Sequence, residues 1–482
     1  MNIQKIAKEI QETFSEPFDL IKQEFLVAGK TPAIVMFVDT VAGGMRVGAE
    51  VVLPLSMPNN WVIEGKAPKD IKTLVTQTLN GNCRIEFFKT MDEALNALNG
   101  GKTLILVEGI KEFVFADTTF FPHRGVNEPP TNAVVKGPRE GFTEVPVVNV
   151  GLIRKRLKTP DMVITNVVVG KYTKTNVMVT YLKSVADQSV VEKVLKKIKA
   201  IDIDGIIDSH YILSFLQNDP LHIFRQVGND EKPDIVAAKM LEGRIAIIVD
   251  GSPIVLTVPY LLLEDIQATD DYYTANTVVS VRRMIRLVGG ALALILPGLY
   301  IAMQLYHYKI VPLNILTVIT NSVENSPFSP MVEMLFILIL FEIMYEASLR
   351  MPMHLGAATG LVGALVLGGT AVESGLTSAP AVLVAALSMI TMYILPNLAP
   401  QISLLRLVFL LVGAILGLYG LVIGAIVLVT YLANLDSFGT PILAPFAPRI
   451  KNDLKDAIIQ SNITDTKTRP DSIPNKNKRK QK

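Results

Sequence analysis

Residues 407–433 read LVFLLVGAILGLYGLVIGAIVLVTYLA, an unbroken apolar run that is long enough to cross a bilayer. This run ends a mostly apolar block, residues 287–433. The only Asp, Glu, Lys and Arg residues of the block are Lys309, Glu324, Glu333, Glu342, Glu346, Arg350, Glu373 and Arg406. So few ionised side chains cannot form the surface of a water-soluble domain of this length. The block therefore predicts an all-α polytopic membrane domain.

Other apolar runs in the block place further spans near 287–306, 331–349, 355–373 and 379–398. The apolar segment Val311–Thr320 is too short to cross a hydrocarbon core of about 30 Å at about 1.5 Å per residue. We expect this segment to be re-entrant or interfacial.

Three arginines, Arg282, Arg283 and Arg286, come immediately before the first span. They predict a cytoplasmic head, because cytoplasmic flanks of membrane helices are enriched in basic residues. Arg350 and Arg406 would then lie at cytoplasmic turns. Five spans would send the basic tail to the opposite side, which conflicts with its charge. A broken last helix, or the short segment acting as half of a span, would remove the conflict, so the number of spans stays open.

The region ahead of the spans contains a repeated pattern of two apolar runs joined by a tight turn. Phe25–Val38 has this pattern around Gly-Lys, and Val167–Thr180 repeats it at an offset of about 141 residues. Gly101–Gly109 and Gly243–Gly251 match each other at nearly the same offset, and each is followed by a second apolar run. Run, turn and run is typical of a β-hairpin. The repeat predicts a soluble α/β head made of two similar subdomains.

These patterns divide the chain into six predicted parts. They are subdomain 1 (1–125), a linker with the motif GPREGF (126–149), subdomain 2 (150–262), a basic juxtamembrane segment (263–286), the helical membrane domain (287–433) and a C-terminal tail (434–482). The tail is rich in Lys, Arg, Asn and Pro towards its end, so we expect that end to be disordered. Attraction of its positive charge to anionic lipid headgroups is the alternative to a purely solvated tail.

Nothing in the sequence predicts catalysis, a cofactor, a metal site or nucleic-acid binding. Gly29-Lys30-Thr31 and Gly101-Lys102-Thr103 resemble the end of a phosphate-binding loop, but that loop needs Gly five residues earlier, where Glu24 and Asn96 stand. Both segments are predicted to be turns. The five histidines are scattered without ligand spacing, and the single Cys83 excludes an intramolecular disulfide.

One predicted span carries a stripe of charged residues, Glu342, Glu346 and Arg350, at helical spacing, with Glu333 nine residues before Glu342. A carboxylate within a bilayer is costly and normally faces protein or water. The stripe predicts either a part of an ion path or an internal Glu346–Arg350 pair that fixes helix packing.

A second stripe, Thr359, Val362, Val366, Thr370 and Glu373, recurs at helical spacing. Repeated around a symmetric ring, such a helix would form an apolar constriction that gates by dewetting, with a ring of carboxylates at one mouth. We take these five residues as pore and gate candidates. Ordinary packing between helices would produce the same pattern.

Several motifs in fixed order resemble those of one known family. They are Lys136–Glu144 (KGPREGFTE), Asn149–Lys158 (NVGLIRKRLK), Asp250-Gly-Ser-Pro253, Asp271-Tyr-Tyr273, Pro297-x-x-Tyr300, Phe341-Glu342, Arg350-x-Pro352, Gly360–Gly363, Ala371–Glu373 and Ser437-Phe-Gly-x-Pro441. Together they resemble the A subunit of GerA-type spore germinant receptors over nearly the full length. Stage V sporulation protein AF is a related paralogue.

The resemblance implies a multi-pass protein of the endospore inner membrane that acts with a transporter-like B subunit and a lipoprotein C subunit. It implies a homo-oligomer that acts as a nutrient-gated cation channel and triggers germination. The loop Gly137-Pro138-Arg139-Glu140 is the candidate for coupling the head to the channel, and a structural turn between subdomains is its alternative. A secondary transporter and a scaffold for the partner subunits are the alternative functions, although the spans show no inverted repeat.

Overall fold

The computed structural model describes residues 2–13, 20–57, 70–120, 125, 128, 137–217, 223–323, 326–350 and 368–480. The chain divides into two compact units, Met1–Arg124 and Gly125–Lys482.

The first unit is built on one antiparallel sheet with the strand order β1-β2-β4-β5-β3. Its strands are β1 Leu20–Val27, β2 Thr31–Val38, β3 Ile85–Phe88, β4 Thr103–Val107 and β5 Phe113–Ala116. Its helices are α1 Ile3–Thr13, α2 Asp39–Ala42, α3 Gly44–Val47, a π-helical turn Gly48–Val52, α4 Leu53–Ser56, α5 Ile71–Leu79 and α6 Met91–Asn99.

Both faces of this sheet are covered, which explains why its central strand β4 is apolar at every position from Leu104 to Val107. On β4, Ile105 and Val107 pack on one face against the side of α4 and α5, whereas Leu104 and Leu106 pack on the other against α1 and α6. Side chains alternate between the faces of a strand, so a continuously apolar strand needs a helical layer on each side.

The second unit begins with a sheet of the same design, in the order β6-β7-β9-β10-β8. Its strands are β6 Met162–Val169, β7 Thr175–Leu182, β8 Gly228–Asp230, β9 Ile245–Val249 and β10 Val255–Val258. Its helices are α7 Pro146–Arg156, α8 Gln188–Lys199, α9 Ser209–Leu216, α10 Pro233–Glu242 and α11 Leu263–Ile266. The strands β6 to β10 occupy the positions that β1 to β5 occupy in the first sheet, so the two sheets have the same strand order. This confirms the two similar α/β subdomains.

The Gly-Lys turns lie where the repeat placed them. Gly29 joins β1 to β2 with φ +70°, and Gly170 follows β6 with φ +91°. These are left-handed conformations that glycine adopts without strain. A strand rather than a helix follows both Gly29-Lys30-Thr31 and Gly101-Lys102-Thr103, so the two segments are turns, as predicted.

The C-terminal half is helical. Its helices are α12 Asn276–Leu305, α13 Leu313–Val323, α14 Pro330–Arg350, α15 Ala379–Met392 and α16 Ala399–Asn434, and residues 368–373 are also helical. Within the described residues, Asn276–Leu305 and Pro396–Asn434 are long and apolar enough to cross a membrane. α13 and α15 are apolar but shorter. Most of the predicted span 355–373 lies outside the described residues.

α16 is not one straight helix, because it folds back at Gly417. Gly417 has φ 63° and ψ −149°, a backbone region that is open essentially only to glycine. Leu432 and Leu435 pack in the same cluster as Leu398 and Ile402. A straight helix would hold these residues at least about 45 Å apart at about 1.5 Å per residue. The chain therefore returns to the side from which it entered.

The tail after α16 packs on subdomain 2, which differs from the expected disorder. It forms the small hairpin β11 Asp436–Ser437 and β12 Thr440–Pro441. The Tyr260 amide donates to Ser437 Oγ (2.9 Å), and the Lys476 amide donates to the Val185 carbonyl (2.8 Å). The tail also buries Ile442 and Ile473. This apolar burial and backbone pairing order a segment whose composition alone resembles a disordered one. Because the last helix turns back at Gly417, the tail lies on the same side as subdomain 2. The conflict between the charge of the tail and a chain of five spans is thereby removed.

Gly417→Ala is expected to destabilise the helical region by about 2 kcal/mol, because an L-residue is strained in this backbone region. The added Cβ would also lie about 3.1 Å from the His307 and Tyr306 rings. Thermal unfolding of the detergent-solubilised protein measures the effect. Gly424→Ala is the matched control, because its Cβ would meet only ordinary contacts with Phe409 at 3.6 Å. Equal unfolding temperatures for the two variants would contradict a strained turn at Gly417.

Candidate functional site

Arg406 of the helical region is 1% exposed and ion-pairs with Glu342 of α14 (Nη2 to Oε2, 3.0 Å). Its other terminal nitrogen, Nη1, lies 3.4 Å from Ser388 Oγ on α15, and that hydroxyl donates to the Ala293 carbonyl of α12 (2.7 Å). These contacts form a continuous polar chain across four helices, α14, α16, α15 and α12.

The expected position of Arg406 at a turn is wrong. α16 begins at Ala399 with proline in its first turn, so Arg406 lies two turns inside the helix and its guanidinium reaches neighbouring helices. A buried guanidinium needs a carboxylate partner, and Glu342 supplies it from 64 residues away in the chain.

Glu346 and Arg350 form the local pair that was one of the two predicted possibilities. Arg350 Nη2 lies 2.5 Å from Glu346 Oε1, and the two side chains are 78% and 57% exposed. An exposed i,i+4 pair of this kind contributes only a few tenths of a kcal/mol. The charge stripe is thus split between a buried interhelical pair at Glu342 and an exposed local pair. Glu333, at the start of the same helix, is fully buried.

The pore and gate candidates fall partly outside the described residues. Thr359, Val362 and Val366 lie outside them. Thr370 and Glu373 lie in the helical segment 368–373, and both are exposed in this single chain. Among the described residues, no ion pair joins Glu373 to a cation. Their role in a pore stays a prediction.

The candidate coupling loop is fixed to its surroundings by charge and by shape. Glu140 ion-pairs with Lys155 (2.5 Å) and Arg156 (2.8 Å) at the end of α7. The hydrogen bond from Lys155 is the main cause that lowers the pKa of Glu140, although its slight burial opposes this. Gly137 has φ +121°, and a Cβ there would lie 2.7 Å from the Tyr273 ring. Pro138 lies between these anchors, and Arg139 Nε lies 3.8 Å from Glu128.

Sequence reasoning missed a buried charge cluster at the base of α12, which we call the α12 junction: Asp271, Arg283, Arg286 and Asp456. The Asp271 carboxylate is 0% exposed and accepts from Arg283 Nε (2.9 Å) and from both terminal nitrogens of Arg286 (2.8 and 2.9 Å). Arg283 Nη1 also donates to Asp456 Oδ1 of the tail (2.9 Å). The junction therefore ties α12 to the segment before it and to the tail.

The α12 junction changes the meaning of the juxtamembrane arginines. The sequence alone predicts that they are a topology signal, but Arg283 is fully buried and Arg286 is largely buried in internal ion pairs, and of the three only Arg282 is exposed. Burial alone would raise the pKa of Asp271, but hydrogen bonds from Arg286 and Arg283 outweigh it and lower that pKa. The motif Asp271-Tyr-Tyr273 was the one feature of the sequence that pointed to this charge cluster. The separation of Asp271 from the arginines does not by itself predict that they pair.

A second junction joins subdomain 2 to the loop between α15 and α16. Asp265 pairs with Arg225 and accepts from the Tyr260 hydroxyl, and Asn397 Nδ2 donates to the same carboxylate (3.3 Å). Burial raises the pKa of Tyr260 to about 12. This second cluster attaches subdomain 2 to the helical region directly, whereas the α12 junction attaches α12 to the segment that follows subdomain 2 and to the tail.

Comparison with known proteins gives the same assignment as the motifs. The model of the family "Bacillus/Clostridium GerA spore germination protein" matches residues 8–472. Spore germination protein KA of Bacillus subtilis (strain 168) is 34% identical, over 82% of this chain and 73% of that one. Spore germination protein A1 of the same organism is 31% identical, over 87% and 82%. Spore germination protein XA of Bacillus anthracis is 31% identical, over 84% and 83%.

Among solved structures, the chain is similar to the N-terminal domain of the A subunit of the Bacillus megaterium spore germinant receptor GerK3. The identity is 25%, the match covers 53% of this chain and 94% of that one, and the TM-score is 0.23. The family assignment depends on the sequence matches, which extend through both the head and the helical region. On these grounds the chain belongs to the GerA family of Bacillus/Clostridium spore germination proteins.

Proposed function

We propose that this protein is the membrane subunit of a nutrient receptor whose homo-oligomer forms a cation channel that triggers spore germination. The observation that carries the proposal is the set of ionised groups retained inside the apolar helical region. Glu333 is buried there, and Glu342 and Arg406 pair between helices. Ionisable residues among membrane helices normally serve an ion path or line water.

The junctions described above supply a route from the head to the helices. Asp271 holds the base of α12 through Arg283 and Arg286, so a displacement of subdomain 2 would move α12 with it. The loop Gly137–Glu140 contacts the same base through Tyr273. A nutrient-induced movement of subdomain 2 would therefore shift the helices, because, within the described residues, no flexible linker separates the two along this route.

Membership of the GerA family supports a proposal for the partners and the location. We propose a transporter-like B subunit and a lipoprotein C subunit as partners, and the endospore inner membrane as the location, with the head in the cytoplasm. The tail returns to the side of subdomain 2, so head and tail share one compartment in this proposal.

Glu373→Gln is expected to reduce potassium flux several-fold, because it removes the ring of carboxylates proposed to attract cations at the pore mouth. Val362→Ala is expected to increase leak by widening the apolar constriction. The measurement is potassium release from proteoliposomes that contain the full chain, and from spores that carry each variant. Asp202→Asn, an exposed head carboxylate paired with Lys171, is the control.

The alternative functions predict different outcomes of the same experiment. A scaffold would show unchanged flux together with loss of the B and C subunits from the purified complex. A secondary transporter would accumulate labelled nutrient in proteoliposomes that contain this chain alone. Wild-type flux for both Glu373→Gln and Val362→Ala would contradict the proposed pore.

A further inference from the structure

Apart from Gln401 Oε1 of α16, five buried side-chain oxygen atoms of the helical region have no hydrogen-bond partner among the described residues. They are Glu333 Oε2, Tyr300 Oη, Gln304 Oε1, Thr377 Oγ1 and Ser378 Oγ. They come from α12, from the start of α14 and from the two residues ahead of α15. Buried polar atoms are nearly always paired, so a group of unpaired oxygens from three adjoining elements requires an explanation.

The carboxylate of Glu333 is the centre of this group. Glu333 is 0% exposed, and its Oε1 accepts a hydrogen bond from the Ser378 backbone amide. Tyr300 packs against the apolar cluster that contains Met334 of α14 and Ala381 of α15. Thr377 and Ser378 are 3% and 2% exposed, and the Ser378 hydroxyl does not cap α15. Gln304 lies one helical turn after Tyr300, on the same side of α12.

The charge of Glu333 is not balanced within the described residues. Arg406 pairs with Glu342 and Arg350 with Glu346, whereas Arg283 and Arg286 at the base of α12 pair with Asp271. An isolated carboxylate that is buried away from water must bind a proton or a cation. A proton would neutralise the carboxylate and add one O–H donor to the three hydroxyl donors already present. A cation is coordinated by several oxygens at once.

The donor set decides the class of cation. It contains only oxygen, which suits hard cations and excludes the soft metals that prefer sulfur and nitrogen. It carries a single negative charge, so one monovalent ion makes the site neutral, whereas a divalent ion would leave a net positive charge in an apolar region.

We infer that Glu333, with the oxygens of Tyr300, Thr377 and Ser378 and the amide of Gln304, binds one alkali cation, Na⁺ or K⁺, between α12, α14 and α15. The bound ion joins three helices, so its occupancy stabilises the helical region. The site goes beyond the proposed function, because it would exist equally in a channel, a transporter or a scaffold.

The test is thermal unfolding of the purified full chain in detergent, in sodium chloride, potassium chloride or N-methyl-D-glucamine chloride at equal ionic strength. At one pH, the unfolding temperature is expected to be a few degrees higher with sodium or potassium than with N-methyl-D-glucamine. Glu333→Gln is expected to abolish this difference. Tyr300→Phe, which removes one hydroxyl, is expected to raise the half-maximal cation concentration by about tenfold.

Tyr419→Phe is the matched control, because it removes a hydroxyl from a tyrosine that is 76% exposed and should leave the cation dependence unchanged. If Glu333→Gln does not fold, Tyr300→Phe decides the question, because a shift in its cation dependence supports the site and no shift contradicts it. Equal unfolding temperatures of the wild type in all three salts would overturn the inference, and would indicate a protonated or hydrated Glu333.

Discussion

Glu342→Gln should destabilise the helical region by about 3 kcal/mol or more, because it leaves the guanidinium of Arg406 buried without a carboxylate. Arg406 is 1% exposed, and its remaining neighbours, Ser388 Oγ and Met389 Sδ, are neutral. A neutral amide at position 342 keeps the shape of the side chain and one acceptor. The loss therefore reports on charge and not on packing. The midpoint of thermal or denaturant unfolding in detergent measures it.

Removal of the arginine should be less harmful than removal of the glutamate. Glu342 is 37% exposed, so after Arg406→Met its carboxylate can gain a proton or water. The double variant Glu342→Gln with Arg406→Met should be more stable than Glu342→Gln alone, as found when buried pairs are replaced together. Glu346→Gln, which breaks only the exposed pair with Arg350, serves as the control and should change stability by less than about 1 kcal/mol. Equal effects of Glu342→Gln and Glu346→Gln would contradict a buried pair.

Asp271→Asn is expected to have the second large effect, because it should loosen the base of α12 from the segment that follows subdomain 2. The change leaves Arg283, which is fully buried, without the carboxylate that balances it, although Asp456 remains as a second partner. We expect a loss of about 3 kcal/mol. Limited proteolysis between subdomain 2 and α12 should become faster.

The same carboxylate gives the α12 junction a pH dependence with a definite sign. The pKa of Asp271 is lowered in the folded protein. Its contribution is therefore present above the unfolded-state pKa of about 3.9 and is lost as the pH falls through the lower folded-state pKa. The unfolding temperature of the wild type should fall more steeply below about pH 4 than that of Asp271→Asn. Asp202→Asn provides the control, because its carboxylate is exposed. Parallel pH profiles of wild type and Asp271→Asn would contradict this role of the junction.

The duplicated head could be predicted because its evidence is local and occurs twice. Each hairpin consists of two apolar runs around a Gly-Lys or acid-Gly turn. Apolar runs and turn residues are visible directly in the sequence, so hairpins of this kind can be recognised there. The equal strand orders of the two sheets confirm the repeat. The Glu346–Arg350 pair was foreseeable for the same reason, since i and i+4 are neighbours on any helix.

The candidate site was less accessible to prediction. Glu342 meets Arg406 across 64 residues, and Arg283 meets Asp456 across 173. No periodicity connects residues at such separations. An arginine beside an apolar run looks the same whether it faces headgroups, as assumed for Arg406, or another helix, as the structure shows. The tail was misjudged for a related reason, because its composition carries no information about the edge of subdomain 2 that binds it.

Local pattern alone determined the class of this protein: two similar α/β sheets ahead of an apolar helical region, with a few costly charges retained among the helices. Tertiary structure alone decided which charges neutralise each other, where Gly417 turns the last helix back, and that the tail packs beside subdomain 2. Hydrophobic period and turn chemistry act over a few residues, so they can be read along the chain. The pairing of buried charges depends on which helices adjoin, and that is decided only when the whole apolar surface packs.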